Sequence, residues 1–454
     1  MKKPSHILIR IIYHIAVLSA LFICADSVFL TASGKVNTTA VVICSLITIF
    51  SWVLPDVFGK DVIEKRVRQL RFGNLGLRYF LEALVPALIY TFFELFNPSG
   101  SMAGASWKVI LFHIVAATVI LSLTFWIGII RIYLTSVQLG IGMRVTGIIC
   151  GMLFPLNLIV LGTMIKITGE EVRFENEKTI LDMERKDKAI CRTKYPVLML
   201  HGVFFRDYKY LDYWGRIPGE LIKNGCSIYY GKQQSAGTVA SCGEEVAQRI
   251  RDICEETGCD KVNIIAHSKG GLDARCAMAD PEIAARVASL TTINTPHRGC
   301  EFADYLLGKI PDKPQKAVAA AYNKALLALG DYAPDFIGAC RDLTHEACAA
   351  FNEKVKDPEG VYIQSYGSLL KNNKGGKFPL NLTYDFVELF DGGNDGLVGE
   401  ASFKWGEDYH LMTAPGKRGI SHADVIDLNR ENIPGYDVRE FYVKLVSDLR
   451  EKGF

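Results

Sequence analysis

The chain has 454 residues, of which 49% are hydrophobic, and its formal net charge is only +2. This length is too great for one ordinary core, so two or more structural units are expected. The hydrophobic share is high for a wholly soluble protein and predicts that part of the chain lies in a bilayer.

Charge is unevenly distributed along the chain. Residues 1–166 carry 14 basic and 6 acidic side chains, a net +8, whereas the remainder carries 37 and 43, a net −6. The basic residues of the first part stand between long apolar runs and not on a polar face, which is typical of membrane topology signals. We therefore predict an integral membrane protein and expect no nucleic-acid partner.

Five apolar stretches within residues 1–166 are each on the order of 20 residues long, which is enough to cross a hydrocarbon layer as a helix. They cover approximately residues 8–28, 38–58, 79–97, 109–131 and 145–165. Lys2 and Lys3 precede the first stretch, and six basic residues between 60 and 78 crowd the second connection. These segments are predicted to be cytoplasmic. Five crossings would then place the rest of the chain outside the cytoplasm, whereas loss of the third would reverse this; a cleavable signal peptide is the alternative for the first.

A second type of pattern begins after this region. Residues 167–194 are dense in charges of both signs and predict a linker or helical stalk. From Tyr195 onward, short apolar runs alternate with amphipathic stretches, which is typical of strands and helices around a mostly parallel sheet. The predicted strands cover residues 196–200, 227–230, 262–266, 288–293 and 361–366. A helix with Phe441 and Leu445 on its apolar face closes the domain.

Nine of the twelve cysteines lie in this C-terminal part, without the paired spacing of a zinc site. Small buried thiols are the predicted state. Bridges between Cys254 and Cys259 or between Cys340 and Cys348 are the alternative.

The segment from Lys261 to Gly271, KVNIIAHSKGG, predicts a strand, a tight turn and a helix. A serine at such a turn can act as a nucleophile, provided that the residues two before and two after it are small. Ala266 and Gly270 meet this condition around Ser268. Ser268 is therefore the candidate nucleophile, and a simple helix N-cap is the alternative.

A serine nucleophile requires a histidine to accept its proton and a carboxylate to orient that histidine. Where this elbow occurs, the chain order is serine, acid, histidine. His422, in the segment GISHAD before the last helix, is the predicted base, with His410 in reserve. Asp395, in the segment GNDGLV, is the predicted acid, and Asp391 is its rival.

Two backbone N–H groups must also stabilise the oxyanion that forms during ester cleavage. One follows the nucleophile and the other comes from the loop after an early strand. The amides of Lys269 and Val203 are the predicted donors, and Gly202 allows close approach. The Lys269 side chain is expected either to favour anionic lipids at the mouth of the site or to be solvated.

Taken in order, these motifs resemble those of the bacterial triacylglycerol lipases of the α/β-hydrolase superfamily. The segments that carry the resemblance are YPVLMLHG at 195–202, AHSKGG at 266–271, LTTINTPHRG at 290–299, NDGLV at 394–398 and SHAD at 421–424. The resemblance leaves the apolar region uncovered. It implies an α/β-hydrolase fold in residues 195–454, with a mobile helical lid at about 303–355. A permanently packed helical subdomain is the alternative for the lid.

The resemblance also implies a calcium site, because an aspartate two residues after the histidine binds calcium in this family and Asp424 matches it. A second aspartate for that site is not found before Asp395. The cysteine that often follows the acid loop is replaced by Ala401. We therefore predict no cofactor and no such disulfide, with calcium at Asp424 as the alternative.

The sequence thus predicts a multi-span helical region in residues 1–166, a charged linker and an α/β-hydrolase domain. The leading hypothesis is a serine ester hydrolase that cleaves lipid or lipophilic esters through an acyl-enzyme. Acyl transfer by the same residues is one alternative. A non-catalytic sensory or binding domain on a membrane protein is another, because a fold alone does not determine function.

Overall fold

The computed structural model describes residues 4–56, 64–98, 104–203, 213–309 and 311–454. The chain divides into two compact units, Met1–Glu184 and Arg185–Phe454. We call them the helical unit and the sheet domain.

The helical unit contains no strand among its described residues. Its helices are α1 (Pro4–Ala25), α2 (Ser27–Ala32), α3 (Thr38–Val53), α4 (Lys65–Phe96), α5 (Trp107–Thr135), α6 (Gly140–Cys150) and α7 (Leu156–Arg185), the last of which ends one residue beyond the unit. The part of the predicted linker up to residue 185 is therefore helical.

Three helical segments of the described chain are long and apolar enough to cross a membrane, namely Ile7–Ala25, Lys65–Phe96 and Trp107–Thr135. The sequence predicted five. The second predicted stretch forms α3, which has only 16 residues. The fifth is divided between α6 and α7, since Gly151 and Pro155 interrupt it. Residues 57–58 of the second stretch and Lys60 lie outside the described residues.

The sheet domain is built on six parallel strands in the order β2-β1-β3-β4-β5-β6. They are β1 (Val197–Leu200), β2 (Ile228–Tyr230), β3 (Val262–His267), β4 (Val287–Ile293), β5 (Tyr362–Ser368) and β6 (Asp408–Met412). The first five confirm the predicted strands and the parallel sheet. The edge strand β6 was not predicted.

Helices cover both faces of this sheet. They are α8 (Ile217–Lys223), α9 (Val239–Thr257), α10 (Gly270–Ala277), α11 (Pro281–Ala285), α12 (Glu301–Lys309), α13 (Asp312–Ala328), α14 (Phe336–Arg341), α15 (His345–Lys354), α16 (Leu380–Asp391), α17 (Glu400–Phe403) and α18 (Val438–Glu451). Val197 and Met199 of β1 belong to the same core as Tyr442 of α18. Leu198 and Leu200 point to the other face, into the core that contains Ile250 of α9. Burial on both faces explains why β1 is apolar throughout.

The region predicted as a lid, residues 303–355, forms helices α12 to α15. Two carboxylates tie the second half of this insert to the first residue of α9 and to the segment before that helix. Asp331 accepts a hydrogen bond from the Ser235 amide at 2.9 Å, and Asp342 accepts one from the Val239 amide at 2.6 Å. That the insert moves as a lid stays a prediction.

All twelve cysteines are free thiols. The alternative bridges, Cys254 to Cys259 and Cys340 to Cys348, are therefore not formed. The sheet domain is stabilised by its two apolar cores without a covalent cross-link.

Candidate active site

The turn between β3 and α10 presents Ser268. Its φ is +54°, in the left-handed region that residues other than glycine rarely occupy. Its amide donates to the carbonyl of Ile293 in β4 at 2.9 Å, which holds the strained turn against the sheet. Such strain at a strand–helix turn is typical of a nucleophile elbow.

Close packing around this turn explains its small residues. A Cβ atom on Gly270 would lie 2.5 Å from the carbonyl oxygen of His201 and 3.0 Å from that of Leu200. A Cβ atom on Gly202 would lie 2.9 Å from the Cβ of Ser268. Both glycines are therefore required for the loop after β1 to lie directly against the turn that carries Ser268.

Tyr213 braces this loop. Its hydroxyl accepts a hydrogen bond from the Gly202 amide at 2.8 Å and lies 2.6 Å from Nδ1 of His267, the residue before Ser268. The predicted oxyanion donor Val203 follows Gly202 directly, and the chain from 204 to 212 lies outside the described residues. Tyr213 was not predicted from the sequence, because nothing local in the sequence connects it to the turn at 268.

Asp395 and His422 are brought together. The Nδ1 atom of His422 lies 2.6 Å from Oδ2 of Asp395, and the His422 amide donates to the Asp395 carbonyl at 2.9 Å. Asn294 donates to the same Oδ2 at 2.6 Å, while the amides of Leu397 and Val398 donate to Oδ1 at 2.9 and 2.8 Å. The fully buried carboxylate is thus held at both oxygens, in the orientation that fixes the imidazole ring.

The His422 ring also lies beside the turn. Its centroid is 4.5 Å from the centroid of the His267 ring. Burial, together with the neighbouring His422, lowers the pKa of His267 well below its ordinary value. His267 therefore remains neutral and adds no charge beside the candidate base.

The reserve candidates lie elsewhere. His410 is exposed on β6, where its ring stacks on Tyr366 at a centroid distance of 5.0 Å. The Asp391 carboxylate accepts from the Glu301 amide at 3.2 Å and contacts the thiol of Cys300. Of the two acids considered, only Asp395 has a hydrogen bond to His422 among the contacts described for this part of the chain.

The expectation for the Lys269 side chain is wrong. Only 2% of this residue is exposed, and its Nζ donates to Oδ1 of Asp273 at 2.6 Å. The i,i+4 spacing along the start of α10 lets the pair form inside the domain, so the ammonium group does not reach the mouth of the site. Burial raises the pKa of Asp273 to about 6, and the ammonium group opposes that shift.

Asp424 does not fit a calcium site. Arg418 binds both of its oxygens, at 2.6 and 3.1 Å, and the Ser421 amide donates to one of them at 2.8 Å. Calcium needs six to eight oxygen ligands, whereas both Asp424 oxygens are already bound by a guanidinium group and one of them also by a backbone amide. The nearby Glu431 carboxylate also contacts Arg418 and forms an ion pair with Lys377 at 2.7 Å.

No protein-family model matches the chain. A triacylglycerol lipase of Vibrio cholerae is 29% identical over 280 residues, which cover 54% of this chain and 88% of that protein. A triacylglycerol lipase of Pseudomonas fragi is 28% identical, with 58% of this chain and 98% of that protein covered. One from Pseudarthrobacter phenanthrenivorans is 34% identical, but the match spans 35% of this chain and only 53% of that protein.

Among solved structures, the Staphylococcus hyicus lipase matches 57% of this chain and 97% of its own, with 18% identity and a TM-score of 0.45. The parallel sheet and the turn at Ser268 define an α/β-hydrolase domain. The sequence similarity to triacylglycerol lipases supports the assignment of this domain to the carboxylic ester hydrolases.

Proposed function

We propose that the protein is a membrane-anchored serine ester hydrolase that cleaves lipid or lipophilic esters through an acyl-enzyme. One observation carries this proposal: the buried pair of Asp395 and His422 lies beside the strained turn that presents Ser268. The triacylglycerol lipases among its relatives support a lipid ester as substrate.

In the first half-reaction, a hydrogen on Nδ1 of His422 binds Asp395 and leaves Nε2 to accept the hydroxyl proton of Ser268. The Ser268 oxygen then bonds to the acyl carbon, and the ester carbonyl oxygen becomes negatively charged. The amides of Val203 and Lys269 stabilise this oxyanion. As the intermediate collapses, the bond from the acyl carbon to the alcohol oxygen breaks, and His422 donates its proton to the departing alcohol.

The second half-reaction repeats these roles with water. His422 takes a proton from the water molecule while its oxygen bonds to the acyl carbon. The bond to Ser268 then breaks, the serine recovers its proton from His422, and the carboxylic acid leaves. This scheme needs no metal or cofactor, and the binding of Asp424 by Arg418 supports leaving calcium out.

The three apolar helices of the helical unit support the membrane anchor. We propose a multi-pass protein in which the basic residues between 60 and 78 face the cytoplasm. From there α4 and α5 cross twice and return the chain to the cytoplasmic side. The predicted placement of the sheet domain outside the cytoplasm therefore requires a further crossing by the segment 145–165, and we propose that this crossing occurs. Protease added to the outside of intact cells should then digest the sheet domain. Digestion only after permeabilisation would show that the sheet domain lies on the cytoplasmic side.

A fluorophosphonate probe tests the nucleophile directly, since it forms a covalent bond only with an activated serine. The full-length protein should be labelled, and Ser268→Ala should lose both labelling and ester hydrolysis. Ser241→Ala is the matched control, because Ser241 lies on α9 and bonds only to the start of that helix. It should react as the wild type does.

The alternatives give different results in the same assay. Wild-type protein that never reacts with the probe would favour a binding or sensory domain. Labelling without release of free acid, together with an acylated acceptor found by mass in lipid extracts, would indicate acyl transfer. Retained labelling in Ser268→Ala would show that another serine is the nucleophile.

A further inference from the structure

The segment that carries His422 is held in place by ion pairs. We call residues 413–437, between β6 and α18, the histidine loop. Arg418 binds Asp424 through two parallel contacts, Nη1 to Oδ2 at 2.6 Å and Nη2 to Oδ1 at 3.1 Å. This fork-to-fork arrangement fixes the relative orientation of the two groups more firmly than a single contact would.

The Asp424 carboxylate also holds the backbone turn at residues 421–424, which contains His422. Its Oδ2 accepts from the Ser421 amide at 2.8 Å, and the Asp424 amide donates to the Ser421 carbonyl at 3.0 Å. His422 lies inside this turn, with its own amide bound to Asp395 at 2.9 Å. The backbone of the candidate base is therefore fixed from two sides.

The charges in this cluster balance. Asp424 and Glu431 are its two carboxylates, and Arg418 and Lys377 are its two cations. The Asp424 side chain is only 3% exposed, so it depends on Arg418 for its counter-charge. Because the negative charge is already compensated, the cluster has little attraction for a divalent ion.

We propose that Arg418 is a positioning residue for His422, and that its guanidinium group supplies within the chain the positive charge that orders the histidine loop, so that hydrolysis is independent of calcium. This inference rests on the proposed function, because it assigns Arg418 a role only if His422 is the base. Arg418 does not touch the reacting atoms and acts through Asp424 and the turn at 421–424.

The experiment uses the full-length protein in detergent, with Arg418→Gln and Arg418→Lys. Arg439→Gln is the matched control, since Arg439 also binds an aspartate through two contacts, Nε and Nη2 to Asp437 at 3.0 and 2.8 Å, at the start of α18 and outside the histidine loop's turn. Hydrolysis of p-nitrophenyl butyrate gives kcat and KM, and fluorophosphonate labelling gives the rate of attack by Ser268. Each variant is measured with EDTA and with added calcium.

A displacement of the imidazole by about 1 Å costs on the order of 100-fold in rate. We therefore expect Arg418→Gln to lower kcat and the labelling rate together by roughly that factor, with KM nearly unchanged. Arg418→Lys should recover part of the loss, because an ammonium group keeps the charge without the fork. Arg439→Gln should keep the wild-type kcat, and EDTA should not change the wild-type rate.

Chemical rescue separates positioning from general destabilisation. In Arg418→Ala, free guanidinium chloride at low concentration should raise kcat more than equal sodium chloride does, whereas Arg439→Ala should show no such gain. The inference is overturned if EDTA inactivates the wild type, if Arg418→Gln keeps the wild-type kcat, or if neither lysine nor guanidinium restores any activity. A wild type that neither labels nor hydrolyses esters would instead refute the proposed function.

Discussion

The two units contain similar apolar side chains but place them differently. In the helical unit, Phe112 and Leu134 of α5 are 65% and 80% exposed. In the sheet domain, every residue of β1, β3 and β4 is buried. The central strands of the sheet domain therefore bury their apolar residues inside the domain, whereas α5 leaves many of its apolar side chains exposed along its length.

This difference determines what a single substitution can do. In the sheet domain, specific hydrogen bonds and close contacts hold the residues of the candidate active site, so a small change at one of these residues should have a large effect. In the helical unit, the outward positions need only apolar character, so most apolar exchanges should be tolerated and only charges should matter. Four substitutions, in order of decreasing effect, test this contrast.

The largest effect is expected for Asp395→Asn. An amide in place of the carboxylate removes the charge and favours the wrong tautomer of His422, so kcat should fall by about 10⁴-fold while the fold persists. Asp391→Asn, the same change at the rival acid, should leave kcat close to wild type. Ester hydrolysis and circular dichroism would check both, and a larger loss in Asp391→Asn would transfer the role of acid to that residue.

Lys269→Met should cost about 3–5 kcal/mol of unfolding free energy, because it leaves the buried Asp273 unpaired. Burial raises the pKa of Asp273 from 3.8 to about 6. Because the folded pKa lies above the unfolded one, protonation of Asp273 stabilises the fold fully below the unfolded pKa of 3.8, and this stabilisation is lost as pH rises through about 6. The loss of unfolding free energy in Lys269→Met should therefore be smaller at low pH, where Asp273 is neutral. Denaturant titration below pH 3.8 and above pH 6 would measure this difference.

The double variant Lys269→Met/Asp273→Leu should recover most of the lost unfolding free energy. Failure to do so would mean that Lys269 or Asp273 also stabilises the domain through other residues.

In the helical unit, Val119→Asp on α5 is the informative change, since Val119 is 50% exposed near the middle of the helix. A carboxylate there should disfavour membrane insertion by about 2.5–3.5 kcal/mol, whereas Val119→Leu should have no effect. The fraction of full-length protein that resists carbonate extraction measures this. Equal extraction of both variants would mean that lipid does not cover this face of α5.

Gly270→Ala should have the smallest of the four effects, a loss of about 1–3 kcal/mol of unfolding free energy. The added Cβ would collide with backbone oxygens that cannot move far. Gly219→Ala in α8 is its control, since no atom lies within 4 Å of the position that a Cβ would take there. Thermal unfolding of both variants would check the difference. A neutral Gly270→Ala would mean that the turn can relax away from the loop after β1.

The sequence predicted these strands because β1 is apolar throughout, β3 and β4 are rich in Val, Ile, Leu and Thr, and turn or helix signals follow each of them. The edge strand β6 has only one neighbour and three of its residues are charged or polar, so nothing in its composition indicates a strand. Asn294 and Tyr213 were not found, because their partners lie far away in sequence. The burial of Lys269 was not predicted for a related reason, since the sequence does not reveal that Lys269 forms an ion pair with Asp273 inside the domain.

The free thiols have a chemical consequence for how the protein can be made. Because all twelve cysteines are free, no oxidation step is needed to form the structure described for either unit. Burial raises the pKa of Cys191 and of Cys226 to about 12. Both thiols therefore stay protonated at neutral pH and should react more slowly with peroxide than exposed cysteines do.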